Sequence, residues 1–136
     1  MCLDKLGKIY KGKKPSGVGW KVLFMGVNNT CLMLPFYNID GERRYNTTGE
    51  LLKRRYITTN KWLKSSVGMI NGVYQYPTGF HICRSKTSAR MLSFNIFSPF
   101  YKKMLYKVRY RKAVCSGTEL GSIPTIVARE MYIIDK

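Results

Sequence analysis

The chain has 136 residues and carries 24 lysines and arginines against 7 aspartates and glutamates, a formal charge of +17 at pH 7. Apolar residues make up 45% of it, including ten Tyr, six Phe and two Trp, which excludes a disordered basic tail and fits a single basic domain over residues 1–136. Like-charge repulsion of this size weakens a compact state, so the charge implies an anionic partner: nucleic acid, a phosphorylated small ligand, an anionic membrane surface or an acidic protein.

The opening MCLDKLGKIYKG is too short an apolar run for a signal peptide or a span, and no later stretch reaches the about 18 apolar residues that a helical span needs. An intracellular protein is expected, with Cys2, Cys31, Cys83 and Cys115 as reduced thiols. Gly7, Gly12, Pro15, Gly17 and Gly19 punctuate an irregular basic lead-in with a short strand at Lys8 to Tyr10. Trp20 to Val27 reads as a strand apolar on both faces, and the turn signal Asn28-Asn29 joins it to CLMLPFY as a hairpin.

Asn38 to Gly41 is a further turn, after which the chain becomes polar and basic. Leu51, Leu52, Tyr56 and Trp62 are the expected core anchors of that stretch, with a weaker helix near Glu50 to Arg55. Arg43, Arg44, Lys53, Arg54, Arg55, Lys61 and Lys64 face solvent or a ligand. Phe80 to Ile82 reads as a short strand. Ser85 is placed to cap a helix over Lys86 to Phe97, with Met91, Leu92, Phe94 and Ile96 as its apolar side and Pro99 as its stop.

The segment KKMLYKVRYRK, Lys102 to Lys112, holds six positive charges in eleven residues. From Leu105 to Val114 its period is two: Tyr106, Val108, Tyr110 and Val114 share one face with Lys112 as the exception, and Lys107, Arg109 and Arg111 share the other. The tyrosines belong to the core and the cations form a contact row. Turn signals SGT and LGS follow between Cys115 and Pro124. TIVAREMYII is the last strand, with Arg129 and Glu130 pairing across to neighbouring charges and an edge that a second copy could join. The sum is an α+β fold, an antiparallel sheet packed against one main helix.

No catalytic constellation emerges. Cys31, His81, Cys83 and Cys115 lack the paired spacing of a zinc site, and the single histidine lies two residues from Cys83 rather than on a separate element, as a cysteine hydrolase would need. The acidic residues do not cluster as paired carboxylates, and GKKPSGVG lacks the GxxxxGK[ST] pattern of a phosphate loop. The expectation is a protein without catalysis, cofactor or metal. It engages an anion through Lys107, Arg109 and Arg111, with Arg54, Arg55 and Lys61 as a second group.

The MCL start, the WKVLF strand, the GFHICRSKTSA segment and the closing YKVRYRK and SGTELGSIPTIVAREMYI resemble small uncharacterised proteins of phages and prophages. That resemblance implies an accessory protein in the cytoplasm of an infected bacterium, bound to nucleic acid or a ribonucleoprotein, in the manner of an inhibitor of host defence. The alternatives it leaves are sequestration of a nucleotide signal, with Arg109 or Arg129 clamping phosphate, inhibition of an acidic host protein, and a structural place in the virion. Oligomeric state stays open, and no membrane partner is expected.

Overall fold

The computed structural model describes residues 3–25, 32–33, 56–57, 59–65, 69–71, 75–77, 79–95 and 102–134. In chain order its elements are β1 (Lys5–Ile9), β2 (Gly17–Met25), β3 (Leu32–Met33), β4 (Tyr56–Ile57), β5 (Trp62–Lys64), β6 (Met69–Asn71), β7 (Gln75–Pro77), β8 (Phe80–Cys83), α1 (Lys86–Phe94), β9 (Lys102–Glu119) and β10 (Ile123–Ile133). Every strand pair is antiparallel, and α1 packs on the sheet, so the α+β expectation holds.

The sheet is organised around β9. β1 and β2 follow one another along one of its edges, from Lys5 opposite Thr118 to Met25 opposite Lys102. β10 lines the other edge, from Ile123 opposite Glu119 to Ile133 opposite Val108. The far edge of β10 is shared by β8, facing Thr125 to Ala128, and β5, facing Glu130 to Tyr132. A bridge between Cys83 of β8 and Trp20 of β2 then closes the circuit β2–β9–β10–β8. Both edges of β10 are therefore occupied along much of its length, and the open edge expected beside TIVAREMYII is taken by β8 and β5.

An extended strand cannot serve such a circuit without bending. β9 turns at residues 112–114: Ala113 faces Ala128 and Cys115 faces Val127, which leaves Val114 as an extra residue, a β-bulge. Lys112 has φ +58°, in the left-handed region. This resolves the exception in the sequence pattern, because alternation restarts at the bulge and Lys112 stands exposed while Ala113 and Val114 are both buried. β9 is also longer than expected. Its SGT segment continues the strand, and the chain reverses only at Leu120 and Gly121, whose φ values of +51° and +79° are those of a primed hairpin turn.

Among the described residues three apolar clusters fill the interior. Leu23, Leu63, Phe80, Ile82, Val108, Tyr110, Met131 and Ile133 belong to the largest, with Tyr106 packed against it, so both tyrosines of β9 hold the core as expected. The second lies under the helix and joins Ala89 and Leu92 to Trp20, Val22, Phe24, Leu105 and Ile123. Ser85 caps α1 as expected, its Oγ accepting from the Ser88 N–H at 3.1 Å. The helix ends at Phe94 because Asn95 caps it, donating from its backbone to Leu92 and from its side chain to Met91. Met91 and Phe94 are not its inner side: they are 48% and 77% exposed, about 160° around the helix from the Ala89 and Leu92 line. The expected turn at Asn38 to Gly41 and helix at Glu50 to Arg55 lie outside the described residues.

A polar chain threads the third cluster, of Leu3, Tyr76, Val114, Cys115 and Val127. The Leu3 N–H donates to Tyr76 Oη at 2.9 Å, and Tyr76 Oη meets His81 Nε2 at 2.8 Å. Lys21 Nζ donates to the His81 carbonyl at 2.6 Å. Burial, aided by the Lys21 ammonium, holds the His81 imidazole well below its ordinary pKa, so it sits neutral. Glu119 is 2% exposed with Oε1 unpartnered, and burial pushes its carboxyl up to about 7 against the opposing pull of Lys21.

Two outcomes follow from this packing. A Cβ added at Gly19 would stand 2.5 Å from Ile82 Cγ2 and 2.6 Å from the Cys83 carbonyl oxygen, at the closure of the circuit, so Gly19→Ala is expected to cost about 1–3 kcal/mol in urea denaturation. A carboxyl with a raised folded pKa contributes full stability below its unfolded value near 4.3 and loses it as pH rises to about 7. Neutral His81 slopes the opposite way below about 6.5, so the readout is the difference between Glu119→Gln and the native protein. That difference should grow in favour of the variant between these limits, to on the order of 3 kcal/mol, and a difference independent of pH would refute the assignment.

Candidate functional site

Directly opposed residues of antiparallel strands share a face, so the registers alone assemble a surface that no single segment displays. Arg109 lies opposite Val18 of β2 on one side and Tyr132 of β10 on the other, and Tyr132 lies opposite Trp62 of β5. These four make one row across four strands, about 14 Å wide at ordinary strand spacing. Arg111, Glu130 and Lys64 form a parallel row beside it, and Lys107 stands opposite Trp20 on the other side.

The helix decides where this face is open. On β9, Leu105 packs under α1 and Lys103 Nζ donates to the Ser93 carbonyl at 2.5 Å, so the face is covered that far. Two residues further on Lys107 is exposed, as are Arg109 and Arg111 beyond it. The covered and open parts meet at Trp20, which packs on the helix cluster while Lys86, the first residue of α1, holds its ammonium 5.2 Å from the indole centroid.

The cations interleave with rings. The Arg111 guanidinium carbon lies 4.0 Å from the Trp62 centroid and that of Arg109 lies 6.0 Å from Tyr132, within reach of cation–π attraction. Trp62 and Tyr132 meet edge to face at 5.5 Å. Sequence reasoning assigned Trp62 to the core and read Tyr132 within an apolar strand. Their place beside the arginines depends on the register among β9, β10 and β5, which no local pattern encodes.

Among the described residues, one carboxylate serves this surface. Glu130 accepts from Arg111 Nε at 2.6 Å and from Lys112 Nζ at 2.5 Å, as expected of a charge in the last strand. The Lys112 hydrogen bond, with Arg111, holds its carboxyl below the usual range although burial acts against this. Consecutive residues of a regular strand point to opposite faces. The left-handed Lys112 breaks that rule and brings two adjacent cations to one carboxylate.

Of the expected contact residues, Lys107, Arg109 and Arg111 come together on this face, with Arg111 partly engaged by Glu130. Lys61 is exposed in the bend leading into β5, next to Trp62. Arg54 and Arg55 lie outside the described residues. Elsewhere, Cys83 and Cys115 are buried, and burial pushes their thiols up to about 12 and about 11, which favours the protonated thiol at neutral pH. Among the described residues no three His, Cys, Asp or Glu side chains gather as metal ligands, and no helix is long and apolar enough to cross a membrane. The chain matches no protein-family model, no curated protein and no solved structure.

The φ of Lys112 allows a direct check on the bend. Glycine adopts this conformation without penalty whereas alanine does not, and neither carries the ammonium. Lys112→Gly is expected to be more stable than Lys112→Ala by about 1 kcal/mol in chemical denaturation, and equal stabilities would show that the left-handed residue is not what turns β9.

Proposed function

We propose that this protein binds nucleic acid through the open face of β9, β10 and β5. The reading is carried by the cross-strand rows, where Lys107, Arg109, Arg111 and Lys64 flank Trp62 and Tyr132 and Lys112 joins Arg111 on Glu130, the one carboxylate among the described residues there, with Lys61 exposed just before Trp62 in sequence. Arginine forks onto phosphate oxygens and lysine supplies a mobile point charge, so phosphate contacts dominate and sequence preference is low. The acidic groups described elsewhere are turned to structural use. Asp4 accepts from Thr118 Oγ1 and the Gly121 N–H at the β9–β10 turn, and Glu119 is buried.

The resemblance to phage proteins supplies the setting we propose for this binding: an accessory protein in an infected bacterium that engages nucleic acid or a ribonucleoprotein of host defence. A nucleotide signal, an acidic host protein or a place in the virion is favoured by no specific observation on this face.

Placement, as distinct from bulk charge, is tested by two variants of equal charge. Lys107→Gln with Arg109→Gln removes two cations from the rows, and Lys11→Gln with Lys13→Gln removes two from the exposed β1–β2 connection. In fluorescence anisotropy with a labelled oligonucleotide, the first pair should weaken binding about tenfold and lower the slope of log affinity against log salt by about 1.5. The second should do markedly less. Equal effects would place the interaction in net charge and not on this face.

A further inference from the structure

Bulk charge accounts for phosphate binding but not for the rings. Trp62 and Tyr132 are half-buried, at the surface, in the middle of the cations, and on the face of β10 opposite to the one where Met131 and Ile133 enter the core. Side chains on a sheet stand roughly perpendicular to it, so these rings rise from the face between two rows of charge. A duplex turns its phosphates outward and keeps its bases stacked inside, where rings on a flat face cannot reach them. An unpaired strand offers both chemistries at once, phosphates for the cations and base planes for the rings.

We propose that the ligand of this face is a single-stranded nucleic acid, its bases lying on Tyr132 and on the Trp62–Arg111 stack and its phosphates on Lys107, Arg109 and Lys64. The inference rests on the nucleic-acid reading above and goes past it in naming the strandedness and the stacking groups. Arg111 takes part as a plane and not as a free charge. Glu130 holds its Nε at 2.6 Å while the guanidinium covers the indole at 4.0 Å, so the group is fixed in place as a further stacking surface. At the end of the Arg109 row Val18 is 51% exposed, an apolar neighbour suited to a base edge or sugar rather than to a phosphate. Across the sheet, Trp20 with Lys86 over it continues the same alternation of ring and cation on the Lys107 side.

The test begins with the native protein, so no variant needs to fold. Oligothymidylate, oligouridylate, a duplex of equal length and inorganic polyphosphate are titrated at matched ionic strength, with anisotropy and tryptophan fluorescence read together. The expected result is that the ribo- or the deoxyribo-strand binds at least tenfold more tightly than the duplex and quenches tryptophan emission, while polyphosphate binds without quenching. Tyr132→Leu, which removes the ring and no charge, should then weaken the single strand about tenfold and leave polyphosphate unchanged. Equal binding of duplex and single strand, or a Tyr132→Leu protein with native affinity for the strand, would overturn the stacking inference while leaving a phosphate-binding face. Indifference of all four ligands to Lys107→Gln with Arg109→Gln would remove the nucleic-acid reading of this face together with it.

Discussion

Pairing along both edges of one eighteen-residue strand, over most of each edge, is the constraint on which the rest of the molecule depends. β9 takes β1 and β2 on one side and β10 on the other, and β8 then has to reach back to β2. Only a sharply coiled β9 satisfies all of these pairings. The bulge at Val114 and the left-handed Lys112 are where the coiling is concentrated, in keeping with the general association of bulges with bends and re-aimed side chains. The same bend divides β9 functionally. Before it, the strand carries the helix and then the open cationic row; after it, Val114 and Cys115 are buried with Leu3, Tyr76 and Val127, while β1 and β10 line the two edges.

The chain carries its charge by segregation. The three acidic residues described, Asp4, Glu119 and Glu130, all serve the fold: one fastens the N-terminal segment to the β9–β10 turn, one is buried near the polar chain around Lys21 and His81, and one clamps two cations of β9. None of the three is exposed. Among the described residues the exposed charges are therefore all positive, and the open sheet face is where that imbalance meets aromatic rings.

What could be read from the sequence was local. The period of two in β9, the Ser85 cap and the apolar final strand depend on neighbours within a few residues, and each appears where expected. Local reasoning failed where a distant partner decides. Ser116, Gly117 and Thr118 carry turn signals yet lie in a strand, because Leu6 and Lys5 pair with Gly117 and Thr118 on one side and Thr125 and Pro124 on the other. Met91 and Phe94 suit a core-facing helix stripe, but it is Ala89 and Leu92 that pack with Trp20, Val22 and Phe24 of β2. The candidate site was half legible: most of its cations lie along one strand, and its rings come from two others.

Chain order gives this topology a further meaning. β1 and β2 lie near the start of the sequence, and the strand they pair with is the penultimate one. On a ribosome β1 has no strand partner among the described residues, and β2 has only β3 and the bridge to β8, until residues beyond 100 have emerged, whereas β9 and β10 form a hairpin as soon as both are out. Completion of the sheet thus waits on β9, and until then β1 travels without the partner that orders it.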